Sequence, residues 1–301
     1  MVGKKMQKKK VIITGGNGQL GKSLKKVYED SMDNSLELVF MGHDDLDITD
    51  EGMVIKALSE LKPYALVNCA MFKNTAACED DYLNAVNVNA EGPEILAHVC
   101  GMFDVKFIHI STDYIFDGQK GTPYTEYDIE NPLNAYGKTK LSGEKGALSH
   151  GNAMVIRTSW LYSDHGDNFV TKAIEKIRGG SMKAVVDQLG SPTNADTLAE
   201  VILDIIVHGD VKPGLYQFCN EGVASWYDMA CAVERMLGES SGVVESCLST
   251  DFESKVKRPK YSVMSTNKLY ERFPYLVEHR VHWYDALSDV VQDILMLGDG
   301  E

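Results

Sequence analysis

The feature that most constrains this chain is a glycine-rich turn that separates a short apolar run from a helical pattern. Residues 11–14 read Val-Ile-Ile-Thr, which predicts a buried strand, and apolar side chains at 20, 24, 27 and 28 predict a helix. Between them, Gly15, Gly18 and Gly21 are spaced three residues apart. Such a turn lets the backbone approach a pyrophosphate and points helix N-terminal amides at it. The pattern predicts a dinucleotide site, with a tight turn that binds no ligand as the alternative.

Further strands and helices alternate along the first half of the chain. Apolar runs at 36–41, 65–70, 106–110 and 154–157 predict strands, and a long helix is predicted over 81–103. This alternation predicts an α/β fold with a Rossmann-type, doubly wound parallel sheet, in which ligands bind at the carboxyl ends of the strands. We assign residues 1–157 to an NAD(P)-binding domain.

The alternation loosens in the second half. Helices are predicted near 168–178, 196–207, 225–237 and 282–297, with a strand at 214–219. Ser225 and Asp228 have the spacing of a capping box. We assign residues 158–301 mostly to a smaller substrate-binding lobe, with some segments returning to the first domain. The basic run 257–260 (Lys-Arg-Pro-Lys) is either a site for a substrate diphosphate or a solvated loop.

The turn after the second strand is acidic. Residues 42–50 read Gly-His-Asp-Asp-Leu-Asp-Ile-Thr-Asp. An acidic residue in this position commonly binds a ribose 2′-hydroxyl and favours NAD. Several aspartates and a histidine compete for that place, so the choice between NADH and NADPH stays open. Asp50 also suits the N-cap of the next helix.

A phenol and an ammonium four residues apart are the candidate catalytic pair. Asn134 is a plausible N-cap of a helix on which Tyr136 and Lys140 share one face. A nearby positive charge favours the phenolate, so we expect Lys140 to bring the pKa of Tyr136 closer to neutrality. Ser111-Thr112-Asp113-Tyr114 follows the fourth strand, so chain order brings the glycine turn, Thr112 and this pair to one rim.

Bulk composition narrows the class of partner. The 301 residues carry a net charge of −14, which argues against nucleic acid as the main partner. The lysines at 4, 5, 8, 9 and 10 predict a solvated tail, because the apolar run after them is too short for a signal peptide. No apolar stretch is long enough to span a membrane. Six cysteines without a Cys-x-x-Cys pair predict reduced thiols in a cytoplasmic protein, and the eight histidines show no metal-ligand spacing.

Taken together, the motifs resemble the extended short-chain dehydrogenase/reductases, and most closely the dTDP-4-dehydrorhamnose reductase family. The resemblance covers almost the whole chain. It rests on the blocks 18–21, 46–50, 111–118, 132–141, 157–162, 187–193 and 258–262. It implies reduction of the C4 ketone of dTDP-4-dehydro-L-rhamnose with NADPH or NADH, in nucleotide-sugar and surface polysaccharide biosynthesis. A homodimer is compatible with it.

The resemblance also implies roles for individual residues. Thr112, Tyr136 and Lys140 match the family's catalytic trio: Tyr136 donates the proton, Lys140 tunes the phenol and binds the nicotinamide ribose, and Thr112 orients the carbonyl. The positions that match cofactor contacts are Gly15, Gly18, Gln19, Leu20, Asp47, Ile48 and Ala70, together with Tyr136 and Lys140. The positions expected around the substrate are Asp113, Tyr114, Trp160 and Arg258. No metal ligand is predicted.

One block departs from the family pattern. After Asn68 the family usually reads Ala-Ala-Ala, an aromatic residue, Thr and Ala-Val-Asp, whereas residues 69–76 here read Cys-Ala-Met-Phe-Lys-Asn-Thr-Ala. Met71 and Lys73 therefore leave the identity of the sugar open. The alternatives are a reductase or epimerase of another nucleotide-activated 4-keto sugar, or a non-catalytic regulatory subunit. A dehydratase typically has Asp-Glu after the threonine, and this chain has Asp113-Tyr114.

Overall fold

The centre of the protein is a six-stranded sheet in which every neighbouring pair is parallel. The computed structural model describes residues 8–31, 34–238 and 242–298. The sheet order is β10-β5-β4-β3-β1-β2. Its strands are β1 (Lys9–Thr14), β2 (Leu36–Met41), β3 (Ala65–Asn68), β4 (Lys106–Thr112), β5 (Ala153–Thr158) and β10 (Gly214–Gln217).

Helices cover both faces of this sheet, and side chains on both faces of its strands are therefore buried. Alternate residues belong to opposite cores: Ile13 packs with the face covered by α1 and α8, and Ile12 with the face covered by α2, α5 and α6. These helices are α1 (Gln19–Asp30), α2 (Glu51–Leu61), α5 (Gly92–Met102), α6 (Ala135–Ser149) and α8 (Ala195–Val207). Between α2 and α5 lie α3 (Thr75–Asp80), α4 (Tyr82–Val86) and a π-helical turn, Asn87–Glu91.

A further apolar core, separate from the two that flank the sheet, joins elements from the C-terminal half. It is formed by α7 (Phe169–Arg178), α9 (Trp226–Met236), α11 (Trp283–Gly298) and the parallel pair β7 (Met182–Val185) and β12 (Val244–Cys247). Short strand pairs also lie in this half: β6 (Leu161–Tyr162) with β9 (Thr193–Asn194), and β8 (Leu189–Gly190) with β11 (Ala224–Ser225). The remaining helix is α10 (Asn267–Arg272), with 3₁₀ turns at Asp113–Ile115, Ser249–Asp251 and Pro274–His279.

The five strands predicted for the first half are present, and so is the strand predicted at 214–219, as β10. The α/β class with a Rossmann-type sheet is confirmed. Both predicted caps are also present: Asn134 Oδ1 accepts from the Gly137 amide at 2.8 Å, and Ser225 and Asp228 form the capping box. The division at residue 157 stays a prediction. The C-terminal segments that pack with the sheet include α8, β10 and α10.

The helix predicted over 81–103 is present, and the π-helical turn in its middle inserts an extra residue into the helical ladder. One expectation about local structure is wrong. The basic leader is not simply a solvated tail, because Lys9 belongs to β1 and its Nζ donates to the Ile206 and Val207 carbonyls at 3.1 and 3.0 Å. A cation there suits the carbonyl end of α8. Lys4 and Lys5 lie outside the described residues.

Candidate active site

A cleft of about 760 Å³ opens at the carboxyl ends of β1, β3, β4 and β5. The predicted site residues lie in its lining, with two exceptions: Lys140 is buried behind the wall and Arg258 lies beside the cleft. The lining includes Gly15, Gly18, Gln19, Leu20, Asp47, Ile48, Ala70, Thr112, Asp113, Tyr114, Tyr136 and Trp160. The structure thus brings these residues of the predicted cofactor, catalytic and substrate groups into one cavity.

The glycine turn is held tightly against the end of β3. Gly15 has a φ of +63°, and a Cβ there would stand 2.7 Å from the Ala70 backbone nitrogen. A Cβ on Gly21 would stand 2.6 Å from the Gly15 carbonyl oxygen. Both contacts demand glycine. Gly18 is the N-cap of α1 and supplies no side-chain cap, so the first amides of that helix are available to a pyrophosphate.

Gln19 connects this turn to the C-terminal half of the chain. Its Nε2 donates to the Leu161 carbonyl at 3.3 Å and to Ser163 Oγ at 3.1 Å. The Gln19 carbonyl lies 3.1 Å from His165 Nε2. The start of the predicted cofactor helix is therefore fixed relative to the segment that follows β6.

Thr112 and Tyr136 meet at the base of the cleft. Asn134 caps α6, and a Cβ on Gly137 would overlap the Tyr114 carbonyl, so the helix start packs directly on the turn that follows β4. Burial raises the pKa of Tyr136, and the nearby Thr112 side chain offsets part of the rise. The Tyr136 hydroxyl donates to Met71 Sδ at 3.6 Å.

Lys140 does not lower the pKa of Tyr136 as we expected. Its side chain is 1% exposed, and Nζ donates to the Ile110 carbonyl at 2.6 Å. Burial lowers the pKa of Lys140 to about 8, while Glu144 and Cys69 work in the opposite direction. The expectation is wrong because burial acts on both groups: it disfavours the phenolate as well as the ammonium. An ammonium has three donors, so the bond to Ile110 leaves capacity for a ligand.

Asp113 is a second buried ionisable group at this rim. Burial raises its pKa to about 7, although Ser262 Oγ donates to its Oδ2 at 2.6 Å and Thr112 Oγ1 to its Oδ1 at 3.2 Å. The Ser262 bond ties the segment after the basic run 257–260 to the end of β4. Tyr114 packs edge-on against Tyr136 with ring centroids 5.7 Å apart.

A stacked pair of indoles forms the opposite wall. Trp160 and Trp226 lie 3.6 Å apart between ring centroids, at an angle of 5°. Trp160 has a φ of +48°, and a Cβ on Gly190 would stand 2.5 Å from its ring. Trp160 was predicted for this site and Trp226 was not. The only sequence signal for Trp226 was that it directly follows the Ser225 cap.

The loop of residues 69–76, whose sequence differs from the family pattern, contributes to the cleft lining and is fixed by hydrogen bonds to Asn89. The buried Asn89 of the π-helical turn accepts from the Phe72 amide at 2.8 Å, and its Nδ2 donates to the Phe72 carbonyl at 3.1 Å. Met71 and Lys73 on either side of Phe72 belong to the lining. π-Helical turns such as the one that carries Asn89 are frequent at functional sites. The sequence departure therefore lies in the cavity itself.

Arg258 borders a smaller cavity of about 230 Å³ that shares Trp226 with the cleft. Its guanidinium donates to Ser254 Oγ at 3.1 Å and lies close enough to Tyr114 to oppose the burial that raises the pKa of that phenol to about 12. Phe169 and Phe252 supply aromatic walls. Arg258 thus stands between the catalytic rim and a second, partly aromatic cavity.

Three ligand-type groups meet away from the cleft. The ligand atoms of Asp204, Glu278 and His279 lie within 4.8 Å of one another, which the sequence spacing did not indicate. His279 Nε2 is already 2.8 Å from Asp204 Oδ2, and its Nδ1 is 3.4 Å from Glu200. The six cysteines are free thiols. Among the described residues, none of the helices combines the length and the apolar character needed to cross a bilayer.

Comparison with known proteins decides the family. The RmlD substrate binding domain family matches residues 9–296. The chain belongs to this family. A dTDP-4-dehydrorhamnose reductase of Aggregatibacter actinomycetemcomitans is 34% identical over 88% of this chain and 93% of its own.

Two further relatives extend the comparison. A probable dTDP-4,6-dihydroxy-2-methyloxan-3-one 4-ketoreductase of Streptomyces antibioticus is 37% identical over 94% of this chain and 95% of its own. The crystal structure of a dTDP-4-dehydrorhamnose reductase from Bacillus anthracis in complex with NADP has a TM-score of 0.85 and 29% identity, covering 95% of this chain and 100% of that one. The relatives that resemble this chain therefore carry names for more than one 4-keto sugar.

Proposed function

We propose that this protein reduces the C4 ketone of dTDP-4-dehydro-L-rhamnose to the alcohol of dTDP-L-rhamnose, with NADPH or NADH, as a step in nucleotide-sugar synthesis for surface polysaccharides. The observation that carries the proposal is the cavity shared by the glycine turn, Thr112 and Tyr136. The names of the full-length relatives support the same reaction.

The cofactor site fits a nicotinamide dinucleotide. Gly15 and Gly18 leave no side chain between the backbone and a pyrophosphate, and the first amides of α1 face that position. Ala70 lies against Gly15 on the way to the catalytic rim. The bound cofactor supplies the hydride that adds to C4.

The protein's own groups supply the proton and the electrostatic stabilisation. Tyr136 donates its phenolic proton to the oxygen of C4. The Thr112 hydroxyl exchanges its bond to Asp113 for a hydrogen bond that it donates to the carbonyl and that orients it. Lys140 lies one turn further along α6, and the donors that its bond to the Ile110 carbonyl leaves free suit the nicotinamide ribose. Because Tyr136 has a pKa above the usual range, it is fully protonated at neutral pH and ready to act as the acid.

We place the nucleotide on the side of Arg258. A guanidinium suits a diphosphate, and the aromatic cavity beside it suits a base. Asp113, Tyr114 and Trp160 then surround the sugar. The domain boundary, a homodimer and a cytoplasmic location remain predictions.

A second candidate is reduction of a different nucleotide-activated 4-keto sugar. The loop of residues 69–76 favours it, because Met71 and Lys73 lie in the cavity wall. A non-catalytic subunit is less well supported, since Thr112, Tyr136 and Lys140 are all present and Thr112 and Tyr136 share the cavity.

The test is turnover with purified substrate. Oxidation of NADPH and NADH is followed by nicotinamide absorbance with dTDP-4-dehydro-L-rhamnose and with a panel of other 4-keto sugar nucleotides. Tyr136→Phe should lower kcat by roughly 100- to 10,000-fold, because the proton donor is lost. Tyr127→Phe is the matched control, since Tyr127 is 82% exposed and does not line the cleft. Turnover by Tyr136→Phe at the rate of the control would remove Tyr136 from the acid role.

A further inference from the structure

The structure separates the aspartates of the turn after β2 by their partners. Asp45 Oδ2 accepts from the Gly42 amide at 2.9 Å. Asp47 Oδ1 accepts from the Thr49 amide at 2.9 Å and from its hydroxyl at 2.8 Å, and these bonds lower the pKa of Asp47. Asp50 caps α2 by accepting from the Met53 amide. Three of the four carboxylates thus hold the turn together.

Asp44 is different. Its side chain is exposed and lines the cleft, and within the described part of the chain its carboxylate takes part in no hydrogen bond or ion pair. His43 beside it also lines the cleft. A carboxylate that has no partner within the described residues and lines a cavity can accept hydrogen bonds from a ligand there.

The turn lies where the adenosine ribose of a bound dinucleotide would be. Gly42 follows β2, which pairs with β1 so that Met41 stands opposite Thr14. The Gly16 amide donates to the Met41 carbonyl at 3.0 Å, and a Cβ on Gly42 would stand 2.7 Å from Asn17 Nδ2. The acidic turn therefore touches the glycine turn, and in such folds the residues after the second strand contact the ribose.

Charge then distinguishes the two cofactors. The 2′-phosphate of NADPH brings nearly two negative charges, whereas the 2′-hydroxyl of NADH is a hydrogen-bond donor. In the described lining, residues 42–48 contribute no lysine or arginine to pair with a phosphate, and the one lysine of the cleft, Lys73, is on the loop after β3. A carboxylate repels the phosphate and accepts from the hydroxyl.

We infer that Asp44 is the specificity-determining residue for the cofactor and that this chain prefers NADH to NADPH. The inference rests on the proposed function in one respect: it takes the cleft as the nicotinamide dinucleotide site. It concerns the adenosine end of the site and is independent of which sugar is reduced.

The test is a fluorescence titration of the purified full chain with NADH and with NADPH, in the absence of sugar. The wild type should bind NADH roughly ten times more tightly than NADPH at low salt, and the ratio should shrink as salt screens the repulsion. Asp44→Asn should weaken NADH binding by about threefold and tighten NADPH binding by about threefold, because it removes the negative charge and leaves a neutral, weaker acceptor. The double variant Asp44→Ser with His43→Arg should bind NADPH more tightly than NADH.

Glu60→Gln is the matched control, since it removes the same charge from an exposed position on α2 outside the cleft lining. It should leave both dissociation constants and their ratio as in the wild type. The inference is overturned if the wild type binds NADPH as tightly as NADH, or if Asp44→Asn keeps the wild-type ratio. Because no sugar is present, absence of turnover with every sugar would contradict the proposed function alone, whereas failure to bind either cofactor would contradict both.

Discussion

Two lysines show how differently this protein uses a cation that is wholly or partly buried. Lys140, behind the catalytic rim, is 1% exposed, donates to one backbone carbonyl, and has a pKa lowered to about 8 by burial. Lys26, on the outer side of α1, donates at 2.9 Å to each of three carboxylates. Burial opposes its charge, but those bonds raise its pKa above the ordinary value of 10.5. The carboxylates belong to Asp164, Asp196 and Asp293.

The two lysines differ in how many carboxylates surround the ammonium, and this number distinguishes a charge that stabilises the fold from one that is available to a ligand. The Lys26 ammonium is matched by protein carboxylates from the segment after β6, from α8 and from α11, so its charge stabilises the packing of those elements on α1. Within the described ranges, Lys140 has no carboxylate partner, because Glu144, four residues on, already forms a two-pronged ion pair with the buried Arg157. An ammonium kept short of partners costs stability and is available to a substrate or cofactor.

Replacing Lys140 should produce the largest effect, and it should fall on catalysis. Lys140→Met should lower kcat/KM by roughly 100- to 1000-fold, because the ammonium that is available to the nicotinamide ribose and positions the cofactor is lost. The urea midpoint should stay the same or rise, since methionine removes a buried charge at similar volume. Steady-state kinetics and urea unfolding measure the two effects. An active Lys140→Met enzyme, or one that unfolds at much lower urea, would place Lys140 in the structural class with Lys26.

Replacing Lys26 should produce a smaller effect, and it should fall on stability. Lys26→Met leaves three carboxylates facing one another and should cost about 2 kcal/mol of unfolding free energy, a discounted value because the side chain is 34% exposed. Its kcat should change by less than about threefold. Lys25→Met on the same helix is the control, since that side chain is 58% exposed and has a single partner at 3.8 Å. Equal free energies of unfolding for the Lys26→Met and Lys25→Met variants would contradict the stabilising role of Lys26.

The pH dependence of stability should separate the lysines by sign, with the smallest effect. The folded pKa of Lys140 is below its unfolded value of 10.5, so the unfolded state binds more protons between about pH 8 and 10.5 and stability rises across that range. The wild type should gain roughly 2 kcal/mol relative to Lys140→Met between pH 7 and 10. The folded pKa of Lys26 is above 10.5, so its contribution is fully present below that pH and is lost only above it.

The measurement is urea unfolding of the wild type and both variants at several pH values. The difference between wild type and Lys26→Met should stay constant up to about pH 10. Parallel pH curves for the two differences would show that the two lysines have the same electrostatic environment, against the geometry described above.

The sequence by itself determined the first half of the fold and the composition of the site. Strands buried on both faces need continuous apolar runs, and a turn with φ above zero at Gly15 needs glycine, so both leave local signals. Because the carboxyl ends of parallel strands meet at one edge, chain order was enough to place Thr112 and Tyr136 beside the glycine turn. The same local chemistry predicted the caps at Asn134 and Ser225.

Only the tertiary structure decided how those groups are charged and partnered. Lys26 binds carboxylates that are 138, 170 and 267 residues away in the chain. Trp160 stacks on Trp226, and no local sequence pattern indicates that these two residues meet. The sequence predicted a lowered pKa for Tyr136, and the structure gives a raised one. The spacing to Lys140 can be read from the sequence, whereas burial cannot. Desolvation depends on everything that packs around a group, and that is settled only when the whole chain is folded.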